Sequence, residues 1–274
     1  MSKRILITGA GSGLGEGAAL ELARRGHEVV AGTLAAQKTS LLREAERAGV
    51  EIQVEVLDTT RESDRQAIFE HEIDVLVNNA GVHQVGPVAD IPMEYVRSCF
   101  ETNVFGTLAM TQGFVPQMVK RGSGKIIIVS SINGLFTVPF VAIYCATKHA
   151  LEALTEGLKD ELAGTGVEIC IVNPGAFGTG FNDRGADTMA RWFDQDTSSS
   201  RAEVVSETMG GLQKLLQNQL DPQIMVDALV GIVEEDASKF RNVVPEAVTP
   251  FIQAMEAKAW EVGKGDALWG GFPE

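Results

Sequence analysis

Residues 4–15 read RILITGAGSGLG and decide the fold, because an apolar run passes through four glycines into a helical pattern. The run 4–8 predicts a buried strand, and Leu14, Ala18 and Leu22, spaced by four, predict a helix behind it. Glycine has no Cβ, so this backbone can turn sharply and approach a ligand closely. The helix N-terminus then offers N–H groups and the positive end of its dipole to a pyrophosphate. A plain tight turn is the alternative interpretation.

Strands and helices alternate through most of the remaining chain. Predicted strands lie at 4–8, 27–32, 50–57, 73–77, 125–130, 167–172 and 241–245. Predicted helices lie at 14–25, 39–48, 93–119, 143–163 and 246–262. Apolar runs without polar alternation are typical of strands buried on both faces, and strands that alternate with helices form parallel sheets. We therefore predict an α/β fold with one domain over residues 1–274, a doubly wound parallel sheet of about seven strands, and helices on both faces.

Two segments depart from this alternation. Residues 176–220 are too long for an ordinary connection and carry several large aromatic side chains, so we predict a lid over a substrate, with a mobile loop at 196–201. This segment is called the lid below. Residues 246–274 are expected to form a C-terminal helical tail that contains Trp269 and Phe272.

The charge balance is acidic, since 23 Lys and Arg against 37 Asp and Glu give a net charge of −14. Such a surface argues against general nucleic-acid binders and against proteins that bind anionic membranes. Three cysteines and four histidines without ligand spacing predict neither a disulfide framework nor a metal site. The N-terminal apolar run is too short for a signal peptide, and no stretch approaches the ~20 apolar residues of a spanning helix. The expected location is the cytoplasm.

Polar motifs follow the predicted strands, at the edge where such sheets bind ligands. They are Asn-Asn-Ala-Gly at 78–81, Ser131, and Asn-Pro-Gly at 173–175. Tyr144 and Lys148 are four residues apart on a predicted helix and therefore share a face. A phenol is a poor base at neutral pH, but a nearby ammonium lowers its pKa, so that it can exchange a proton with a substrate oxygen. A hydroxyl such as that of Ser131 can hold the same oxygen.

Alternatives remain for each of these residues. The tyrosine and lysine could be an ordinary surface pair, and Ser131 could end a strand while Ser130 competes for its role. The order of the motifs, however, resembles that of the compact, single-domain short-chain dehydrogenases/reductases. The resemblance rests on Thr-Gly-x-x-x-Gly-x-Gly at 8–15, on 78–81, on Tyr144-x-x-x-Lys148 with Ser131 thirteen residues before it, and on 173–175 with Thr179.

The resemblance implies a Rossmann-like fold and a set of site residues. The implied catalytic residues are Ser131, Tyr144, Lys148 and Asn103. The implied cofactor-binding residues are Gly9, Gly11, Ser12, Gly13, Leu14, Gly15, Thr33, Asp58, Asn79, Ala80, Gly81, Tyr144, Lys148, Pro174, Gly175 and Thr179. Within this set, Asn103 is expected to hold a water of the proton relay, and Asp58 to contact adenine. A satisfied core amide and a turn cap are the respective alternatives.

The implied cofactor is NAD or NADP. An acidic residue usually selects NAD at the end of the second strand, but Thr33 and Leu34 stand there, which favours NADP. The implied reaction is hydride transfer between the nicotinamide and a secondary alcohol or ketone that is apolar, cyclic or aromatic, with His83, Phe136 and Phe177 near it. An NADP-binding regulator without turnover and a sugar-nucleotide epimerase or dehydratase are the alternatives. The expected partners are the small-molecule substrate and further copies of the chain, as a homodimer or homotetramer paired through helices 107–119 and 143–163.

Overall fold

The computed structural model describes residues 1–264 and 266–269, so Phe272 lies outside the described residues. Its centre is a parallel sheet that, within these residues, has seven strands: β1 (Arg4–Thr8), β2 (Glu28–Thr33), β3 (Gln53–Val56), β4 (Val75–Asn78), β5 (Gly124–Val129), β6 (Val167–Pro174) and β7 (Arg241–Val244). The strand order is β3-β2-β1-β4-β5-β6-β7, and every neighbouring pair is parallel. The order reverses between β1 and β4, which places a crevice at their carboxyl ends.

Helices connect the strands and cover the sheet. They are α1 (Gly13–Arg24), α2 (Ala35–Ala48), α3 (Glu62–Ile68), α4 (Met93–Phe100), α5 (Thr107–Arg121), α6 (Ala142–Glu161), α7 (Phe181–Met189), α8 (Ala202–Gln217), α9 (Pro222–Glu234) and α10 (Thr249–Lys258). A π-helical turn, Glu101–Gly106, joins α4 to α5, and 3₁₀ turns occupy Ile132–Gly134 and Glu246–Val248.

Alternate strand residues fill two hydrophobic layers. Ile5 and Ile7 pack on one face of the sheet with side chains of α1, α2 and α9. Leu6 points to the other face, where Phe114 of α5 and Leu151 of α6 meet it in a second layer. Because both faces are buried, the strands carry uninterrupted apolar runs, as a doubly wound sheet requires. The predicted fold class is confirmed.

The helices differ from the predictions in several places. The predicted helix 93–119 is interrupted by the π turn, which inserts an extra residue into the helical repeat. Helices α3 and α9 were not predicted: α3 is short and shows little apolar periodicity, and no helix was expected between the lid and the strand at 241–245. The predicted helix 246–262 begins as a 3₁₀ turn and continues as α10 only to Lys258.

A third hydrophobic cluster lies beyond the carboxyl edge of the sheet. It joins the loops after β4 and β5 to the lid and to α10, and includes Phe136, Phe140, Tyr144, Met189 and Ile252. The lid contains two helices, α7 and α8. Among the described helices, none is long and apolar enough to cross a membrane.

The three cysteines are separate and fully enclosed. Cys99, Cys145 and Cys170 are free thiols with no exposed surface. Burial raises the pKa of each thiol to about 11, so all three are protonated at neutral pH.

Candidate active site

The glycine turn packs against the end of β4 with no room for side chains. Gly9 has a φ of +67°, and a Cβ there would lie 2.8 Å from Ala80 Cα. A Cβ on Gly15 would lie 2.5 Å from Asn79 Nδ2, and one on Gly11 would collide with the Thr33 hydroxyl. Small residues are therefore needed because other backbone and side-chain atoms fill the space that a Cβ would take. Residues 9–15 and 78–81 are together called the cofactor edge below.

Hydrogen bonds join the two halves of the cofactor edge. The Thr8 hydroxyl accepts bonds from Asn79 N and Ala80 N, each at 3.0 Å. Asn79 Nδ2 donates to Thr8 O at 2.9 Å and to Gly9 O at 3.2 Å. The amide of Asn79 thus fixes the glycine turn, so the motif at 78–81 has a direct structural reason.

The end of β2 lies beside this turn. Thr33 is fully buried, and its hydroxyl donates to Gln37 Oε1 at 3.3 Å. Gln37 Nε2 donates in turn to the Ser12 hydroxyl at 3.5 Å. The sequence analysis did not identify Gln37. Its position four residues after Thr33, near the start of α2, is what brings the two side chains together.

Asp58 serves a local turn in this structure. Its Oδ1 accepts bonds from Thr60 N at 3.0 Å and from the Thr60 hydroxyl at 2.7 Å, while Oδ2 pairs with Arg61 at 3.5 Å. These bonds match the turn-cap alternative, and the expected contact with adenine stays a prediction.

Tyr144, Lys148 and Ser131 lie together beneath the lid. Tyr144 and Lys148 follow each other along one face of α6, with Lys148 Nζ 5.6 Å from the centre of the Tyr144 ring. Lys148 Nζ also donates to Val129 O at 2.9 Å, which holds the ammonium against the end of β5. Ser131 caps the 3₁₀ turn that follows β5: its hydroxyl accepts from Asn133 N at 3.1 Å. The same hydroxyl lies close enough to the Tyr144 phenol to affect its ionisation. All three side chains are buried.

Burial dominates the ionisation of this group. It raises the pKa of the Tyr144 phenol above its ordinary value, while the Ser131 hydroxyl acts in the opposite direction. Burial also lowers the pKa of the Lys148 amine to about 8. Desolvation of the phenolate is thus the largest cause of the Tyr144 shift, and the expected lowering of this pKa by the nearby ammonium stays a prediction.

Asn103 lies in the π turn and is fully buried. Its Oδ1 accepts from Val82 N at 2.8 Å, and its Nδ2 donates to Val82 O at 2.9 Å and to the Thr147 hydroxyl at 3.0 Å. These bonds occupy the amide, so it ties the loop after β4 to α6. They match the core-amide alternative, and the expected contact with a relay water stays a prediction.

The substrate side is bordered by aromatic rings. The His83 ring lies 4.4 Å from the Tyr144 ring, and Phe181 of α7 lies 5.9 Å from the same tyrosine. Phe136 packs on Phe251 and Trp269 in the third hydrophobic cluster. Phe181 was missed, since the sequence offered only its place at the start of the lid.

Phe177 requires a correction. It was expected near the substrate, but it is buried in the layer of α1 and α9 and forms a bridge with Leu220. Its side chain points into the core because residues 177 and 220 pair at the base of the lid. Phe177 therefore anchors the lid.

The remaining implied positions lie around the same edge. Thr179 sits opposite the glycine turn, because a Cβ on Gly13 would lie 3.1 Å from Thr179 Cβ. Pro174 ends β6, and Gly175 N donates to Val244 O at 2.8 Å. In the described part of the chain, no group of three or more His, Cys, Asp and Glu residues is placed to hold a metal ion.

The cofactor edge fits a dinucleotide. Within the described residues, no side chain caps the N-terminus of α1 at Ser12. First-turn N–H groups and the helix dipole are therefore available for a pyrophosphate. Lys148 and Tyr144 lie further along the same crevice.

Known proteins resemble this chain over most of its length. A family model described as short chain dehydrogenase matches residues 3–190. The chain is 42% identical over 188 residues to the uncharacterized oxidoreductase YusZ of Bacillus subtilis (strain 168), covering 65% of this chain and 67% of that protein. It is 33% identical over 261 residues to the 3-ketodihydrosphingosine reductase of Bacteroides thetaiotaomicron, covering 93% and 91%.

Solved structures agree with these sequence matches. The actinorhodin polyketide ketoreductase, in a variant solved with NADPH, is 26% identical and superimposes with a TM-score of 0.73 over 88% of this chain and 95% of that one. The parallel sheet, the motifs along its carboxyl edge and the family match over residues 3–190 all agree. The chain therefore belongs to the short-chain dehydrogenase family and is an oxidoreductase.

Proposed function

We propose that the chain is an NAD(P)-dependent ketoreductase that interconverts a secondary alcohol and a ketone on an apolar substrate. The observation that carries the proposal is the buried group of Tyr144, Lys148 and Ser131 at the end of β5, next to the crevice of the cofactor edge. A proton donor, a fixed cation and a hydroxyl are the groups that carbonyl reduction requires.

In the reduction direction each residue has a distinct task. When bound, the nicotinamide supplies the hydride. Tyr144 donates its phenolic proton to the carbonyl oxygen, since a phenol is protonated at neutral pH. Ser131 donates a hydrogen bond to the same oxygen. The Lys148 ammonium stabilises the phenolate that remains after proton transfer.

An apolar substrate suits the surroundings of Tyr144. The ring of Phe181 and the third hydrophobic cluster border the tyrosine, so a bulky hydrocarbon would be taken out of water there. The similarity to a 3-ketodihydrosphingosine reductase over nearly the whole chain supports a ketone as the reacting group. Lid helix α7 must move to admit such a substrate, because it packs directly on Tyr144 and His83.

For the cofactor, we propose a preference for NADP. Thr33 stands where a carboxylate would repel a 2′-phosphate, and the half-buried side chains of Gln37 and Ser12 beside it are neutral hydrogen-bonding groups. Absorbance assays with NADPH and NADH, at equal concentrations, measure this preference directly.

Helices α5 and α6 supply the proposed contact between copies of the chain. Val119 of α5, Leu154 of α6 and Phe105 of the π turn are exposed apolar side chains. Burying them against a second copy would remove apolar surface from water. Light scattering on the purified protein distinguishes a homodimer or homotetramer from a monomer.

The decisive experiment compares the wild-type chain with Tyr144→Phe. NADPH and NADH consumption is followed with a panel of long-chain, aryl and cyclic ketones. Tyr144→Phe should reduce turnover about 10²–10⁴-fold, because the proton donor is lost, while the Kd for the cofactor changes little. Normal turnover in Tyr144→Phe, or no turnover in the wild type across the panel, would overturn the proposal.

A further inference from the structure

Ser131, Tyr144 and Lys148 are together called the catalytic group below. Behind this group, a chain of polar contacts connects α6, β6 and β7. Glu152 lies on α6, four residues after Lys148 and eight after Tyr144, and is buried. Its Oε1 accepts from Asn173 Nδ2 of β6 at 2.7 Å, and its Oε2 pairs with Arg241 of β7. Asn173 Nδ2 also donates to Ser131 O at 3.0 Å. Both hydrogens of one amide therefore connect Glu152 to the backbone of Ser131.

The fit around Glu152 is tight. Asn173 has no exposed surface, and a Cβ on Gly134, in the turn that begins at Ser131, would lie 2.8 Å from Glu152 Oε1. The 3₁₀ turn at Ser131 thus packs directly on the carboxylate. A buried charge needs partners, and here one amide and one guanidinium provide them.

A second acid on the same helix makes a contrast. Arg241 Nη2 also pairs with Glu156 Oε1 at 2.9 Å, but the Glu156 side chain is 57% exposed, against 8% for Glu152. Glu156 bonds to neither Asn173 nor Ser131 among the described contacts. An exposed ion pair of this kind contributes little to stability. Of the two glutamates, Glu152 is therefore the one that is connected to Ser131, through Asn173.

Lys148 lies between charged and titratable groups from three directions. Glu152 and Tyr144 face it along α6, Cys99 faces it from α4, and His83 from the loop after β4. The Cys99 thiol is neutral at ordinary pH because burial raises its pKa. The His83 ring is also neutral, because burial and the charge of Lys148 lower its pKa to about 4. Among these groups, Glu152 is therefore the one that places a negative charge near the Lys148 ammonium.

We propose that Glu152 is a positioning residue: through Asn173 it fixes the backbone of Ser131, and with Arg241 it places a fixed negative charge behind Lys148. This inference rests on the proposed ketoreductase function for its effect on turnover. Its electrostatic part stands without turnover, because removing a negative charge from behind an amine makes deprotonation of that amine easier.

Lysine NMR on the isotope-labelled full chain tests the electrostatic part. The Lys148 signal is identified by its absence in Lys148→Met, and its titration midpoint is expected near a pKa of about 8. Glu152→Gln should move this midpoint to lower pH, because the carboxylate charge is gone. Arg241→Gln should move it to higher pH, because the charge of Glu152 is then no longer compensated. Glu156→Gln, the matched control on the same helix, should leave it unchanged.

Turnover tests the positioning part. Glu152→Gln should lower kcat about 10- to 100-fold with little change in the Kd for NADPH, because misplacing Ser131 affects the reacting geometry. Glu156→Gln should keep wild-type kcat. A Lys148 midpoint that Glu152→Gln leaves unmoved, or that Glu156→Gln moves equally, would overturn the proposal. If Glu152→Gln does not fold, the opposite shift in Arg241→Gln carries the test.

A wild-type chain that reduces no ketone would instead overturn the proposed function. In that case the midpoint shifts in Glu152→Gln and Arg241→Gln would still be measured. The two failures are therefore distinguishable.

Discussion

The cofactor edge and the lid both follow the carboxyl ends of strands, yet they are held in different ways. At the cofactor edge, main-chain atoms lie so close that a single Cβ on Gly9 or Gly15 has no place. Beyond the bridge between residues 177 and 220 at its base, the lid is held by contacts that involve side chains. These are aromatic contacts to Tyr144 and His83, and hydrogen bonds from the Ser198 hydroxyl and Ser199 N to the Asp90 carboxylate at 2.5 and 3.0 Å. The first arrangement is rigid because main chain cannot adapt, whereas the second can separate by rotating side chains.

The largest effect is expected for a substitution at the rigid cofactor edge. Gly9→Ala forces a left-handed φ on a residue with a Cβ and pushes that Cβ against Ala80 Cα at 2.8 Å. We expect a loss of about 2 kcal/mol or more in the free energy of unfolding, and weaker binding of NADPH. Urea unfolding and cofactor titration measure both.

The lid offers the control for this substitution. Gly210 lies inside α8 with nothing within 4 Å of an added Cβ. Gly210→Ala should therefore stabilise the chain by up to about 1 kcal/mol, since alanine favours a helix interior. Equal losses in the two variants would show that the cofactor edge is no more constrained than the lid.

A smaller effect is expected where the lid meets the catalytic group. A Cβ on Gly185 of α7 would collide with His83 Nδ1, which is buried and has no hydrogen-bond partner among the described residues. Gly185→Ala should displace α7 at a cost of about 1–3 kcal/mol, raise KM for the ketone and leave the Kd for NADPH unchanged. Faster limited proteolysis within 190–201 would report the displaced lid. An unchanged KM and proteolysis rate would mean that α7 does not close on His83.

The smallest effect concerns pH. Burial lowers the pKa of His83 to about 4, below its ordinary value of 6.5, so the unfolded chain binds this proton more readily than the folded chain. This component of stability is complete above about pH 6.5 and is lost as the pH falls toward 4. His83→Gln should make the acid-induced decrease in unfolding free energy shallower. His149→Gln, which changes an exposed histidine of α6, should keep the wild-type slope.

Sequence patterns predicted the rigid region well. Every strand was placed within a few residues, because buried strands require unbroken apolar runs and the turns between them require glycine or polar caps. Ser131, Tyr144 and Lys148 lie together as expected, because the ends of neighbouring parallel strands and the start of α6 share one edge of the sheet.

Other features could not be predicted, for physical reasons. The helices of the lid rest on long-range contacts, such as Phe181 on Tyr144, that local periodicity does not encode. Phe177 and an aromatic substrate contact look alike in sequence, since both are apolar side chains beyond a strand. The pKa of Tyr144 depends mainly on how deeply the phenol is buried, which the Tyr-x-x-x-Lys spacing does not encode.

The reactivity of the buried cysteines reports whether the surrounding structure is closed. All three thiols are shielded from water, and their pKa values near 11 keep them in the unreactive form. A thiol reagent can therefore reach Cys99, Cys145 or Cys170 only when the surrounding structure opens. Because Cys99 and Cys145 adjoin the catalytic group and Cys170 lies within β6, the order in which they react separates local opening of the site from unfolding of the sheet.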